Sequence, residues 1–232
     1  EVSAFLSHSW SDEKEAPGAK HATVAQWAKH HREETGEEPT LWLVRAADSN
    51  LQIAQGLSCD YSTPAFLSQD KACIDQNNID QSLACLPVFL SGCQILLIVA
   101  GPTYCSRLWC VMEIFTFMHM GGSMDRIDIK LISNPDQNQT AARKDLRAQL
   151  ARFDAAQAQC FKVEDRQRLL AVIEAGFGER QSGSNLDCRF PPLDLQLTCS
   201  TCSRGAGDFK MFNKKVRTTF AQRLRAQRIK SL

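Results

Sequence analysis

The chain has 232 residues, of which 44% are hydrophobic and 23% charged. That composition is globular and excludes a disordered tail, a collagen-like fibre and a disulfide-stapled miniprotein. Lys and Arg number 27 against 26 for Asp and Glu, so no net charge draws the chain toward nucleic acid or an anionic membrane.

In chain order, Val2 to Ser7 is a short apolar run and reads as a buried strand, with a loop from His8 to Glu13. His21 to Arg32 reads as a helix with Val24, Trp27 and Ala28 on one face. Leu41-Trp42-Leu43 begins a second strand, and Ile79 to Leu86 a short helix. Gln94 to Ala100 is a continuous apolar run between Gly92 and Gly101-Pro102, the mark of a strand covered on both faces. Ser106 is placed to cap a helix from Arg107 to about Met118. Ile127 to Ile132 alternates as a strand nearer the sheet edge. Thr140 to Phe153 reads as a helix, Ala158 to Lys162 as a strand, Glu164 to Ala175 as a helix, and Phe209 to Ile229 as a basic helix with a solvated face. Strand and helix alternate about five times, which argues an α/β fold with a doubly wound parallel sheet.

In such a sheet, ligands sit beyond the carboxyl ends of the strands where the strand order reverses. Here that means the loops Ser7 to Asp12 and Gly101 to Ser106. Trp109 and Glu113 are four apart on the helix that follows and share a face. A carboxylate beside an aromatic at a cleft is a candidate site; a packed Trp and a solvated Glu is the plainer alternative.

Three segments, FLSHSW (Phe5 to Trp10), DKACIDQ (Asp70 to Gln76) and YCSRLWCVMEIF (Tyr104 to Phe115), together resemble the TIR domain, in a TIR-like branch. The third resembles the family's S-x-W-C-x-x-E-[LI] box through Trp109, Cys110, Glu113 and Ile114, with Ser106 one position further from Trp109 than that spacing. The resemblance implies a flavodoxin-like fold, a doubly wound parallel five-stranded sheet in three layers, and one of two uses. Some TIR domains are non-enzymatic modules that assemble with their own kind in signal transduction, including innate immunity. Others cleave NAD to nicotinamide and ADP-ribose or a cyclic product, and depend on the glutamate that maps to Glu113. In that reading NAD is a substrate and no cofactor is needed. Ser7, His8, Ser9, Trp10, Tyr104, Ser106 and Trp109 would form the substrate pocket. The interaction reading places its main contact at Asp75, Gln76, Asn77, Asn78 and Ile79. Expected partners are further copies of the chain and other TIR domains, with no nucleic acid and no membrane in this stretch. A phosphoacceptor receiver on the same fold needs a phosphorylatable Asp after the third strand, where this chain has Gly101-Pro102-Thr103.

Two intervals interrupt the pattern. Residues 44–69 separate Leu43 from Asp70 in mid-strand, and 179–206 carry no periodicity. Codons at their ends permit splice sites, so both read as retained introns, with genuine loop insertions the alternative. Removing both leaves a single domain of about 177 residues, an ordinary domain size. Cys199-x-x-Cys202 supplies one thiol pair where a structural zinc site takes four ligands, so no metal site is expected. Cys73, Cys85, Cys93, Cys105, Cys110 and Cys160 read as buried free thiols of a reducing, cytoplasmic setting. The chain begins at Glu1 and is expected to be a domain cut from a longer protein.

Overall fold

In the computed structural model, residues 2–12, 17–43, 71–72, 79–132, 139–160, 162–177 and 209–230 are described. The sheet is built around β1 (Val2–His8), whose residues Ala4 to Ser7 are buried. On one side β1 pairs in parallel with β2 (Leu41–Leu43), with Ala4 opposite Leu41. Beyond β2 lies the two-residue β3 (Lys71–Ala72), with Trp42 opposite Lys71. On its other side β1 pairs with β4 (Cys93–Ala100), which pairs with β5 (Ile127–Leu131). The order is β3-β2-β1-β4-β5, and all pairs are parallel.

The helices among the described residues are α1 (Ala19–Thr35), α2 (Ile79–Ser91), α3 (Leu108–His119), α4 (Gln139–Ala151), α5 (Val163–Phe177) and α6 (Lys210–Lys230). The strand period of two divides the apolar residues between two faces. Ala4, Leu6, Leu97 and Val99 pack with Val24, Trp27 and Ala28 of α1. Phe5, Leu96 and Ile98 join the larger core, with α2, α3, α5 and α6. Helices therefore cover both faces, as parallel sheets require. α3 lies deepest: every residue from Leu108 to Met118 is buried. A helix that is apolar nearly all round belongs in the interior, and Glu113 is carried there with it. α6 buries Phe212, Val216, Phe220 and Leu224, while Lys214, Lys215, Arg217 and Arg225 stay exposed. Among the described residues no helix is long and apolar enough to cross a membrane.

Four sequence expectations are corrected. Ala158 to Lys162 does not join the sheet: Gln159 makes a parallel bridge to Arg107. Its carbonyl accepts from Leu108 N at 2.8 Å, and its N–H donates to Ser106 O at 2.7 Å. The lead-in to α3 thus satisfies the backbone groups that a sheet edge would have taken. Ser106 does not cap α3. The N-cap is Arg107, without a side-chain cap bond, and the Ser106 hydroxyl donates to Thr103 O at 2.8 Å in the turn Tyr104–Ser106. α2 continues through Pro87 to Ser91 instead of stopping at Leu86. The burial of Leu86 and Leu90 offsets the backbone hydrogen bond that proline cannot make. Lys71 and Ala72 lie beside β2 as a neighbouring strand, not end to end with it. Both interrupting intervals, 44–69 and 179–206, lie outside the described residues.

Candidate functional site

The chain runs outward from β1 to β2 and β3, then returns to β4 on the other side of β1. The loops after β1 and β4 therefore diverge from a shared crevice, where doubly wound sheets bind ligands. Two hydrogen-bond chains, one part-buried and one fully buried, tie these loops together.

The outer chain runs Ser9–Thr103–Asp12. Asp12 Oδ1 accepts from Thr103 N at 2.8 Å and from the Thr103 hydroxyl at 2.7 Å. The Thr103 proton is thereby used, so Ser9 is the donor across its 2.6 Å contact with Thr103 Oγ1. Gly101 makes the close approach possible: a Cβ there would lie 2.5 Å from the Asp12 carboxyl. Asp12 Oδ2 is buried without a hydrogen-bond partner among the described residues.

The inner chain runs Tyr104–Ser7–Glu113. Ser7 donates its hydroxyl to Glu113 Oε2. A hydroxyl has one proton, so in this arrangement, that of the ionised carboxyl, Tyr104 is the donor across its 2.7 Å contact with Ser7 Oγ. Tyr104 and Ser7 are fully buried, and Glu113 is 3% exposed. Loss of water favours the uncharged acid and pushes the Glu113 pKa up to about 8; the Ser7 hydrogen bond pulls the other way. Burial also holds the Tyr104 phenol and the Cys110 thiol neutral, well above their ordinary ranges, and pushes Cys105 to about 12. Cys110 donates its thiol to His8 O at 3.3 Å.

His8 and Trp10 belong to a third group, around Lys20. The His8 ring meets Trp10 edge-on with centroids 4.6 Å apart. Lys20 Nζ donates to Ser9 O at 2.8 Å, lies 3.4 Å from His8 Nδ1, and sits 5.5 Å from the Trp10 ring centroid. Burial, then the Lys20 charge, lowers the His8 pKa to about 3. The ring therefore stays neutral at physiological pH and is a poor proton acceptor.

The structure thus brings Ser7, Tyr104 and Glu113 into one hydrogen-bonded unit, with His8 at the end of β1 and Ser9 and Trp10 on the loop that follows. It does not bring in Trp109 or Ser106. Trp109 is 8% exposed and belongs to the main core. Ser106 faces a separate cleft of about 460 Å³, shared with Pro102, Cys105, Gln149 and Arg152. Glu113 lines neither that cleft nor a second, of about 340 Å³, between α4 and α6. Asp75, Gln76, Asn77 and Asn78 lie outside the described residues; Ile79 opens α2. Sequence reasoning missed Asp12, Thr103 and Lys20. Gly101 before Pro102 marked a turn, but nothing in the sequence tied it to Asp12. Of the thiols, Cys93 and Cys110 are buried, whereas Cys85, Cys105 and Cys160 are only half-buried, and Cys73 lies outside the described residues. Among the described residues no three His, Cys, Asp or Glu side chains cluster as metal ligands would.

No family model, no curated protein and no solved structure matches the chain.

Proposed function

We propose that the chain is a TIR-like signalling domain of flavodoxin-like fold, in which Glu113 is the carboxylate that cleaves NAD. The observation that carries this reading is the Tyr104–Ser7–Glu113 chain at the crevice where the strand order reverses. The succession β2-β1-β4-β5 supports the flavodoxin-like order, with the segment at Gln159 bridged to Arg107 where a further strand is expected.

The chemistry asks for one well-placed carboxylate. Breaking the bond between nicotinamide nitrogen and ribose C1′ develops positive charge on the ribose ring, as glycoside hydrolysis does. An ionised Glu113 would stabilise that charge and accept from the ribose hydroxyls. Nicotinamide leaves as a neutral base and needs no acid. Water at C1′ then gives ADP-ribose, and attack by an adenine nitrogen gives a cyclic product. In the described state Glu113 is sealed and, at neutral pH, mostly protonated. Turnover therefore requires an opening at the Tyr104 turn. Self-association, or contact with another TIR domain, is the trigger this reading assigns.

The second reading is a non-enzymatic interaction module. What favours it is that Glu113 is 3% exposed and reaches neither cleft. The experiment is nicotinamide release from NAD by the purified chain at high concentration, wild type against Glu113→Gln. Release that the variant loses supports the enzyme. No release, even from a forced oligomer, leaves the interaction module.

A further inference from the structure

Glu113 has a single hydrogen-bond partner, the Ser7 hydroxyl, among the described residues. That hydroxyl has one further partner, the Tyr104 phenol, at 2.7 Å. All three groups are buried, so no water shell stands in for a missing donor or acceptor. We infer that Ser7 and Tyr104 are positioning residues for Glu113, a hydroxyl pair whose hydrogen bonds reverse direction as the carboxyl gains or loses its proton.

With the carboxyl ionised, Tyr104 donates to Ser7 and Ser7 donates to Glu113. With the carboxyl protonated, Glu113 donates to Ser7 and Ser7 donates to Tyr104. Both hydroxyls rotate about their C–O bonds, no heavy atom moves, and every link of the chain is kept in each state. A lone apolar wall would leave the ionised form without a donor. A fixed N–H donor would leave the protonated form without an acceptor. The titratable neighbours of Glu113 are Tyr104, from the turn before α3, and Cys110, on α3 itself. Burial keeps both neutral. Among the described residues no charged side chain of α2 or α5 contributes to the Glu113 shift, which comes from burial and from Ser7. The pair therefore controls the carboxyl locally.

The inference deepens the reading of Glu113 as the reactive carboxylate, but its test does not depend on turnover. The chain is labelled with ¹³C at the glutamate side-chain carboxyls, and the Glu113 signal is assigned by its loss in Glu113→Gln. Its titration midpoint is then followed by NMR. Ser7→Ala removes the donor to the anion and should raise the midpoint by about one unit, a tenfold gain in proton affinity. Tyr104→Phe should raise it less, because Ser7 can still donate. Ser7→Thr, which restores a hydroxyl, should return it toward the wild-type value. A Ser7→Ala midpoint equal to or below wild type overturns the inference. Should Ser7→Ala fail to fold, the direction of the Tyr104→Phe shift decides. A shifted midpoint in a chain that never cleaves NAD keeps the positioning role and removes the enzyme. NAD cleavage with an unshifted midpoint does the reverse.

Discussion

Replacing Glu113 by Gln should make the protein more stable, but only at high pH. The carboxyl has an ordinary pKa of 4.5 when solvated and about 8 in the fold, because burial penalises its charge. A group with a raised folded pKa contributes stability that is fully present below pH 4.5. That stability is lost as pH rises toward 8, because the unfolded chain has already released its proton. At about 1.36 kcal/mol per pKa unit, the loss is roughly 5 kcal/mol across that window. Against a usual total of about 5–15 kcal/mol, it is a large fraction. Glutamine fills the same space, can accept from Ser7 and does not titrate. Urea unfolding at intervals from pH 4.5 to 9 measures the difference between the two proteins. The variant should be about as stable as wild type at pH 4.5. Its advantage should then grow by up to about 1.4 kcal/mol per pH unit, levelling above pH 8. A difference that stays flat across the range would refute the claim that Glu113 is buried as a neutral acid.

Phe212 is fully buried and meets Phe115 and Phe153 edge-on, with centroids 5.8 and 6.1 Å away. Phe212→Ala should cost about 3–5 kcal/mol by urea unfolding, since it empties a site walled by α3 and the end of α4. Gly101→Ala should cost about 1–3 kcal/mol, because its Cβ would strike the Asp12 carboxyl, whereas at Gly92 the nearest atom is an unhindering 3.6 Å away, so Gly92→Ala should change little. Asp12→Ala strips the acceptor from Thr103 N and from the Thr103 hydroxyl, which can still turn to Ser9, and should cost about 1–3 kcal/mol in all by urea unfolding.

How far the sequence could be read depended on the range of the contacts involved. β4 was legible because its own run, Ile95 to Ala100, is apolar and bounded by turn residues, and both faces of a central strand need that. α3 was legible for a similar local reason. What local pattern cannot carry is which backbone meets which. The segment at Ala158 has strand composition, yet its hydrogen bonds go to Ser106 and Leu108 about fifty residues earlier. Ser106 has the right chemistry for a cap, but its hydroxyl is taken by Thr103 O one turn back. At the site, Ser7 and Glu113 were each singled out, but their contact spans more than a hundred positions and no spacing announces it. Asp12 and Thr103 were passed over for the same reason: each is an ordinary loop residue until the two loops meet. For Trp109 and Glu113, a shared helix face implies a shared cleft only on a half-exposed helix; the Trp is packed, as the plainer alternative had it, but the Glu is not solvated. On α3, buried all round, that face is part of the core.

The burial of Glu113 also sets how the site can open. A carboxyl that regains water on opening returns to a pKa near 4.5, so at pH 7 the open form is almost wholly ionised while the closed form is mostly protonated. Relative to pH 4.5, neutral pH therefore favours opening by roughly 3 kcal/mol, or about two orders of magnitude in population. Hydrogen bonds from ribose hydroxyls to the carboxylate would act in the same direction, because they bind the open, ionised form and not the closed one. The seal, which favours the interaction module while the site is closed, is thus also compatible with a Glu113 that reacts only in the open form. The Asp12–Thr103 hydrogen bonds, which tie the two loops together, oppose such an opening, and the buried acid favours it.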